Sequence, residues 1–332
     1  MRDLIRAGYQ IPLFTYPGVA PDGLFPRVVE QATAAEDAGF DSVWVMDHFW
    51  QLPMLGAPDL EMLEGYTTLG ALGQATRSVN LGTLVTGVTY RNPALLAKIV
   101  TTLDVISGGR AICGIGAAWF EEEHVGLGFD FPPLKVRFEM LEEALRIIRP
   151  MFLGERPSFE GTHYRTAEAI NSPLPLRPGG VPIMVGGSGE KKTLPLGARH
   201  ADAINLSAGS DELTRKVDVI TAALADAGRT RDELNVSWLC TLVLGDTAAE
   251  AEERFRGMLA ERGMDPSMLD DPGVRAMITA RIVVGDADGA VAQLRGALDQ
   301  GLDGIIVNLP ADGGDPAAVG RAAEVVRGAV GV

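Results

Sequence analysis

Residues 80–124 read NLGTLVTGVTYRNPALLAKIVTTLDVISGGRAICGIGAAWFEEEH, and this stretch decides the fold class. Residues 81–86 and 111–115 are apolar without polar alternation, which is typical of strands buried on both faces of a parallel sheet. Asn92-Pro93 predicts the start of a helix between them, because Asn caps free backbone amides and Pro suits the first helical position. Ser107-Gly108-Gly109 predicts the end of this helix. The stretch therefore predicts one β-α-β unit of an α/β protein.

The same alternation of strands and helices continues on both sides of this unit. Apolar strands are predicted at residues 8–13, 42–46, 81–86, 111–115, 182–185, 203–206, 236–244 and 304–309. Amphipathic helices are predicted at residues 24–38, 66–75, 136–152, 211–227, 250–262, 288–300 and 315–327. Eight strands that alternate with helices, without a break in composition, predict a (β/α)8 TIM barrel forming a single domain over residues 1–332.

Composition excludes several classes of protein. The 332-residue chain has 29 Lys and Arg against 44 Asp and Glu, and its net charge of −15 repels nucleic-acid phosphates. No apolar run reaches the roughly 20 residues that cross a bilayer, so no membrane association is expected. The N-terminus lacks the apolar core of a signal peptide, and we expect a cytoplasmic protein. Cys113 and Cys240 lie within predicted strands and are interpreted as buried core residues.

Some connecting segments are longer than simple barrel loops. Residues 117–135 follow the fourth predicted strand, at the end of a barrel where enzymes build their sites. Residues 153–180 follow the next helix and contain a hairpin-like SFEGTHY, and residues 263–280 are interpreted as a further cover or a dimer contact. Long loops in compact domains are commonly lids, so we expect insertion loops after strand four and in the segment that follows.

Glycines follow two of the predicted strands. Gly186-Gly187-Ser188-Gly189 precedes a helix predicted to open at residues 190–192, a geometry that aims backbone N–H groups at an anion. We interpret this turn as a phosphate site with Ser188 as an extra donor, and a plain tight turn is the alternative. Residues 114–119, GIGAAW, resemble the fingerprint G-x-G-x-x-G of dinucleotide-binding proteins, but Trp119 takes the place of the third glycine. We therefore interpret Gly114 and Gly116 as positions at which the backbone lies close to a flat ring.

Asp47 and His48 directly follow the second predicted strand. An imidazole titrates near neutral pH, so His48 is the candidate catalytic acid or base, and Asp47 is the candidate to orient it or to contact a cofactor. The alternative is a structural pair that closes the strand. Residues 121–124, EEEH, are interpreted as a solvated charge run, and no metal site is predicted because no second group has ligand spacing.

Five motifs carry a resemblance to a known family: VWVMDHF, LGTLVTGVTYRNP, LDVISGGRAICGIGAAWFEEE, RFEMLEEALRIIRPMF and PIMVGGSGEKKTLPLGARHADAINL. Together they resemble the luciferase-like monooxygenase superfamily, particularly the branch of oxidoreductases that uses the deazaflavin coenzyme F420. The resemblance covers nearly the whole chain and implies a (β/α)8 barrel. It also implies a non-prolyl cis peptide between Leu84 and Val85 that supports the back of the cofactor ring, with Asp47 and His48 facing the ring.

The resemblance further implies a set of ligand contacts. The expected cofactor-binding residues are Asp47, Leu84, Val85, Thr86, Gly116, Ala117, Ala118, Gly186, Gly187, Ser188 and Gly189. Trp119 occupies a position at which some sugar-phosphate dehydrogenases of this branch carry a catalytic Glu, which argues against sugar-phosphate oxidation. The aromatic residues Phe14, Trp50, Trp119 and Phe129 are predicted to line a pocket for an apolar or aromatic substrate, with core packing as the alternative.

Three functions are compatible with the sequence. The first is hydride transfer between coenzyme F420 and a small organic substrate, favouring reduction of an activated C=C, C=O or C=N over alcohol oxidation, with His48 as acid or base. The second is a two-component monooxygenase that uses O2 and reduced FMN from a separate flavin reductase. The third is a cofactor-binding protein without turnover. A homodimer is expected by analogy with the family.

Overall fold

The computed structural model describes residues 2–331. Its strands are β1 Ala7–Ile11, β2 Ser42–Val45, β3 Asn80–Thr83, β4 Thr86–Gly87, β5 Ala111–Gly116, β6 Phe159–Glu160, β7 Arg165–Thr166, β8 Ile183–Gly186, β9 Ala203–Leu206, β10 Asn235–Leu244, β11 Ile282–Gly285 and β12 Gly304–Asn308. Its α-helices are α1 Pro21–Asp37, α2 Gly65–Ala75, α3 Pro93–Ser107, α4 Glu121–Leu127, α5 Leu134–Phe152, α6 Thr193–His200, α7 Leu213–Asp226, α8 Ala248–Glu261, α9 Pro272–Thr279, α10 Ala287–Leu298 and α11 Pro316–Val330.

Eight of these strands close into a parallel barrel. Their order around the ring is β1, β2, β3, β5, β8, β9, β10 and β12, and β12 pairs with β1 to close it. Gln10 in β1 lies opposite Trp44 in β2, and Ala7 lies opposite Ile305 across the closing pair. The predicted (β/α)8 barrel is therefore confirmed.

Side chains along each strand alternate between the barrel interior and the helical shell. Trp44, Ile112, Met184 and Ile306 form a buried cluster inside the barrel. Their sequence neighbours, such as Val45, belong to the larger core that the helices cover. Both faces of the strands are thus buried, which is the physical reason for the unbroken apolar runs in the sequence.

Helix α3 has the termini that its sequence predicted. The side chain of Asn92 accepts hydrogen bonds from the N–H groups of Ala94 and Leu95, and Pro93 is the first helical residue. The helix ends at Ser107, followed by Gly108 in the left-handed conformation with a φ of 71°. The β-α-β unit is therefore correct in both its strands and its helix.

Outside the β-α-β unit, the local predictions agree with the structure only in part. Residues 263–280 lead into β11, a strand that was not predicted, and Ile282 of this strand lies opposite Thr241 in the distal half of β10. The loop predicted over residues 117–135 contains helix α4, and the helix after the glycine turn begins at Thr193 because residues 190–192 form a turn. The hairpin predicted in residues 153–180 is confirmed, since β6 and β7 pair in antiparallel fashion.

Two composition-based inferences can be compared with the structure. Cys113 and Cys240 are both buried and unpaired, as their positions within strands predicted. Across residues 2–331, the helices are too short or too polar to cross a membrane.

Candidate active site

The mouth of the barrel, at the C-terminal ends of its strands, gathers most of the predicted site residues. Asp47 and His48 follow β2, Leu84 and Val85 lie between β3 and β4, and Gly186 ends β8. Because parallel strands of a barrel all end at the same rim, these residues surround one space.

Asp47 lies behind this space in a buried ion pair. Its side chain has an exposure of 0%, and its two carboxylate oxygens accept hydrogen bonds from Arg91 at 2.6 and 3.1 Å. Arg91 also bonds to Glu64 at 2.7 Å and lies 4.8 Å above the Tyr66 ring. Burial raises the pKa of Asp47, and the attraction of Arg91 offsets only part of that effect. The predicted orienting role of Asp47 toward His48 is wrong, because the Asp47 carboxylate bonds to Arg91 and the His48 imidazole bonds to a different carboxylate.

His48 bonds to Glu123 instead. Its Nδ1 atom lies 3.0 Å from Oε2 of Glu123, whose side chain is fully buried. The same carboxylate accepts hydrogen bonds from the Tyr90 hydroxyl and from the backbone N–H groups of Phe49 and Trp50. Glu123 therefore ties helix α4 to the loop that carries His48.

The sequence EEEH of residues 121–124 divides between surface and interior. Glu121 and Glu122 are exposed, whereas Glu123 and His124 each have an exposure of 0%. His124 bonds through Nε2 to the Thr89 hydroxyl at 2.6 Å and through Nδ1 to the backbone carbonyl of residue 120 at 2.7 Å. The prediction of a solvated charge run is wrong for its second half. Residues 120, 123 and 124 have the spacing of one helix face, and that spacing is the sequence feature that identifies them as buried.

The predicted pocket aromatics lie in different environments. Trp119 is 54% exposed at the mouth, and its ring meets the His48 ring edge-on at a centroid distance of 5.9 Å. Trp50 is half-buried, and Phe129 is half-buried against Tyr90 at 5.7 Å. Phe14 has an exposure of 0% and packs in the main core, so its predicted place in the pocket wall is wrong.

The peptide bond between Leu84 and Val85 is cis, as the resemblance implied. Both side chains are half-buried at the mouth. Glycines border Val85 on two sides, since a Cβ atom at Gly116 would lie 3.0 Å from its side chain and a Cβ atom at Gly186 would lie 2.8 Å from it. The absence of side chains at these two positions leaves room for the Val85 side chain at the mouth.

Thr86 was predicted to contact the cofactor, but it has an exposure of 0%. Its hydroxyl lies 2.6 Å from the Tyr66 hydroxyl and 2.8 Å from the Thr83 hydroxyl. This hydroxyl cluster holds the backbone that follows Val85. Thr86 therefore supports the surface beneath a ligand and does not form part of it.

The rim after β5 is fixed by an arginine that sequence reasoning missed. Arg137 of helix α5 donates hydrogen bonds to the carbonyl groups of Ala117 and Ala118, at 3.1 and 2.5 Å. Ala118 has a φ of 58°, which non-glycine residues adopt infrequently. Because Arg137 is distant in sequence from the residues it holds, only the folded chain brings them together.

The glycine turn after β8 lies beside a cation. Gly187 has a φ of 129°, which favours glycine, and the Ser188 hydroxyl accepts a hydrogen bond from the backbone N–H of Ser207 at 2.9 Å. The Ser207 hydroxyl in turn accepts a hydrogen bond from the exposed Arg281. Arg281 was not identified from the sequence, because it precedes the unpredicted strand β11. Together these groups suit an anionic ligand at this turn.

We expect Gly114→Ala to destabilise the mouth. A Cβ atom at Gly114 would lie 2.0 Å from the backbone oxygen of Thr83, and a backbone atom of a central strand cannot move away cheaply. The free energy of unfolding should fall by about 1–3 kcal/mol, as in other overpacked sites. The midpoint of urea unfolding measures this change. The matched control is Gly70→Ala in α2, where stability should rise by about 0.5–1 kcal/mol. Among residues 2–331, apart from the two adjacent residues and the backbone of the helix itself, no atom lies within 4 Å of the new methyl group. An unchanged midpoint for Gly114→Ala would contradict the close approach.

Comparison with known proteins relates the chain to one family. A family model described as luciferase-like monooxygenase matches residues 12–326. Among curated relatives, the F420-dependent glucose-6-phosphate dehydrogenase of Nakamurella multipartita is 33% identical over 304 residues, which cover 86% of each chain.

Solved structures of similar fold include enzymes with different cofactors. An F420-dependent secondary alcohol dehydrogenase in complex with an F420–acetone adduct has a TM-score of 0.79 at 21% identity, covering 98% of this chain and 99% of that chain. The oxygenating constituent of 3,6-diketocamphane monooxygenase from Pseudomonas putida, in complex with FMN, has a TM-score of 0.73 at 20% identity, covering 97% and 96%. At these identities the similarity establishes the fold alone.

Proposed function

This chain belongs to the luciferase-like monooxygenase family, and we propose that it is an F420-dependent oxidoreductase that transfers a hydride between this deazaflavin and a small apolar or aromatic organic substrate. The observation that carries the proposal is the placement of His48. Its Nδ1 atom is bonded to Glu123, and within residues 2–331 its Nε2 atom has no hydrogen-bond partner. An imidazole held in this way at a barrel mouth is suited to exchange a proton with a bound substrate.

The residues at the mouth fit a flat ring system. Val85 is half-buried and is bordered by Gly116 and Gly186, two positions at which a side chain would meet it. The glycine turn with Ser188 and the nearby Arg281 suits a phosphate group on the ligand. When bound, the deazaflavin supplies the donor or acceptor of a hydride. The curated relative whose alignment covers 86% of this chain is named as F420-dependent, and this name supports F420 over a flavin as the cofactor.

The interior of the mouth has a polar side across from Val85. Thr241 donates a hydrogen bond to the Asn308 side-chain oxygen at 2.8 Å, and the Asn308 amide donates to the Gln10 side-chain oxygen at 2.8 Å. These residues lie on β10, β12 and β1, and β10 is opposite β3 in the ring of eight strands. A mouth with aromatic groups on its rim and amide groups on one interior side favours an apolar substrate with one hydrogen-bonding group. An activated carbonyl, an imine or a conjugated alkene has this character.

Trp119 distinguishes the proposed reaction from that named for the sugar-phosphate relatives. Its indole is 54% exposed beside His48 and offers no carboxylate to a sugar. A large exposed aromatic surface instead favours stacking with an apolar substrate. We therefore propose reduction of an activated C=C, C=O or C=N bond, with His48 as the proton donor.

Binding of the cofactor is the experiment that tests the proposal. Fluorescence titration of the purified protein should give a lower dissociation constant for F420 than for FMN. Turnover of reduced F420 with cyclohexenone, as a probe of activated double bonds, should exceed turnover of oxidised F420 with glucose 6-phosphate. Equal affinity for the two cofactors, or a preference for FMN, would count against the deazaflavin.

A two-component FMN monooxygenase is the second candidate function. The similar fold of the FMN-bound diketocamphane monooxygenase supports keeping it, because the same barrel can accept a flavin. Product formation from reduced FMN and O2, with a separate flavin reductase present, would favour this candidate. The homodimer stays a prediction, which light scattering after size-exclusion chromatography would test.

A further inference from the structure

We propose that Glu123 is the positioning residue of the site, which holds the His48 imidazole with its proton on Nδ1 and its Nε2 lone pair toward the mouth. The inference rests on the proposed function for its consequence in catalysis. The arrangement of the two side chains is independent of any cofactor. Glu123 belongs to helix α4, and its fully buried side chain does not itself reach the substrate space.

Four groups surround the Glu123 carboxylate. Oε2 of Glu123 faces Nδ1 of His48 at 3.0 Å and accepts from the Tyr90 hydroxyl, while Oε1 accepts from the backbone N–H of Phe49 and, at 3.2 Å, from that of Trp50. Backbone N–H groups can only donate a hydrogen bond, and an ionised carboxylate can only accept one. Nδ1 of His48, which faces this carboxylate, must therefore carry the proton.

Glu123 carries a negative charge although it is buried. Burial on its own would raise the pKa of this carboxyl group, but the hydrogen bonds from His48 and Tyr90 and the attraction of His48 outweigh burial, so the pKa is lowered. Glu123 is thus ionised at neutral pH. Burial raises the pKa of the Tyr90 hydroxyl, which keeps that group a neutral donor.

Two aromatic side chains confine the His48 ring. Trp119 and Phe120 meet the His48 ring edge-on, at centroid distances of 5.9 and 6.0 Å. The charged groups beyond Tyr90 are Arg91 and its two carboxylate partners, Asp47 and Glu64, which are bonded to one another. The carboxylate of Glu123 is therefore the charged group in direct contact with the imidazole, and it also stabilises the imidazolium form.

The structure makes a sharp prediction for Glu123→Gln. Because the N–H groups of Phe49 and Trp50 need an acceptor, the amide oxygen of the new glutamine should take the Oε1 position. Its NH2 group then takes the Oε2 position and donates to Nδ1 of His48. The neutral imidazole is then forced to carry its proton on Nε2. The imidazolium that donates a proton in the proposed reduction is also destabilised, because the NH2 group cannot accept a hydrogen bond from Nδ1–H.

Nitrogen NMR of the histidine-labelled protein without cofactor reads out the tautomer directly. We expect the Nδ1–H form of His48 in the parent and the Nε2–H form in Glu123→Gln. Glu122→Gln, an exposed neighbour on the same helix, should leave the spectrum of His48 unchanged. In the F420 reaction with cyclohexenone, kcat of Glu123→Gln should fall by about one to two orders of magnitude, part of what a well-placed acid–base group supplies, with little change in KM.

The outcomes separate this inference from the proposed function. An Nε2–H tautomer in the parent overturns the role of Glu123 whether or not any variant folds, and so does an unchanged tautomer in a folded Glu123→Gln. A tautomer that changes as expected, in a protein that neither binds nor turns over F420, supports the positioning role and rejects the F420 function. Tyr90→Phe keeps the carboxylate, so loss of the Nδ1–H form in that variant also overturns the inference.

Discussion

His48→Ala is expected to lower kcat of the F420-dependent reaction by about 10²–10⁴-fold, the range that general acid–base catalysis supplies. The physical reason is the loss of the titratable group at the mouth whose Nδ1 is held by Glu123 and whose Nε2 is without a partner in residues 2–331. Binding of F420 should change little, because the glycines beside Val85 and the turn at Ser188 are untouched. Stopped-flow oxidation of reduced F420 with cyclohexenone measures the rate, and fluorescence titration measures the affinity.

His163→Ala is the matched control for this experiment. His163 also bonds to a glutamate, Glu139 at 3.2 Å, but it lies in the β6–β7 hairpin and is not part of the site at the barrel mouth. The control should retain the parent rate. If His48→Ala keeps both the rate and the affinity for F420, the acid–base assignment is lost, and a cofactor-binding protein without turnover becomes the better description.

The fold was predictable from the sequence because its pattern is local. The apolar strands, the Asn92 cap and the turn at Gly108 each need only a few neighbouring residues, and each agrees with the structure. Strand β11 was missed for a physical reason. It pairs with only the distal half of β10, beyond the eight-strand ring, so its position depends on a partner remote in sequence. A four-residue strand with one buried face gives little periodicity to detect.

The candidate site was predictable only in part, because its side chains are arranged by contacts between distant segments. His48 and the cis bond at Val85 could be placed, the first from its strand end and the second from the family resemblance. The partners were assigned incorrectly. Asp47 is adjacent to His48 in sequence but bonds to Arg91, 44 positions away, whereas Glu123, 75 positions away, bonds to His48. Adjacent residues after a strand point in different directions, so sequence proximity is a poor guide to which acidic group serves an imidazole.

Arg91→Met is expected to destabilise the protein by about 3–5 kcal/mol, the usual cost of removing one partner of a buried ion pair. The substitution leaves the Asp47 carboxylate with an exposure of 0% and without either of its two bonds to Arg91. The double variant Asp47→Asn with Arg91→Met should recover a large part of the loss, because no buried charge remains. The midpoint of urea unfolding measures the stability of the parent, of Arg91→Met and of the double variant. Glu64→Gln is the control for the outer contact of Arg91, since Glu64 is 36% exposed and a surface pair contributes up to about 1 kcal/mol.

The pH dependence of the same variant gives a second test of the buried charge. Burial already raises the pKa of Asp47 in the parent, and removal of Arg91 takes away the attraction that opposed burial. A carboxyl group whose pKa is higher in the folded than in the unfolded state destabilises the fold when it is ionised. This cost is fully present above the folded pKa and is lost as the pH falls from there to the unfolded pKa. The destabilisation by Arg91→Met should therefore be largest at alkaline pH and should shrink on acidification, whereas the double variant should show no such trend. A loss of stability in Arg91→Met that is the same at every pH would mean that the arginine acts through packing over Tyr66 and not through the charge of Asp47.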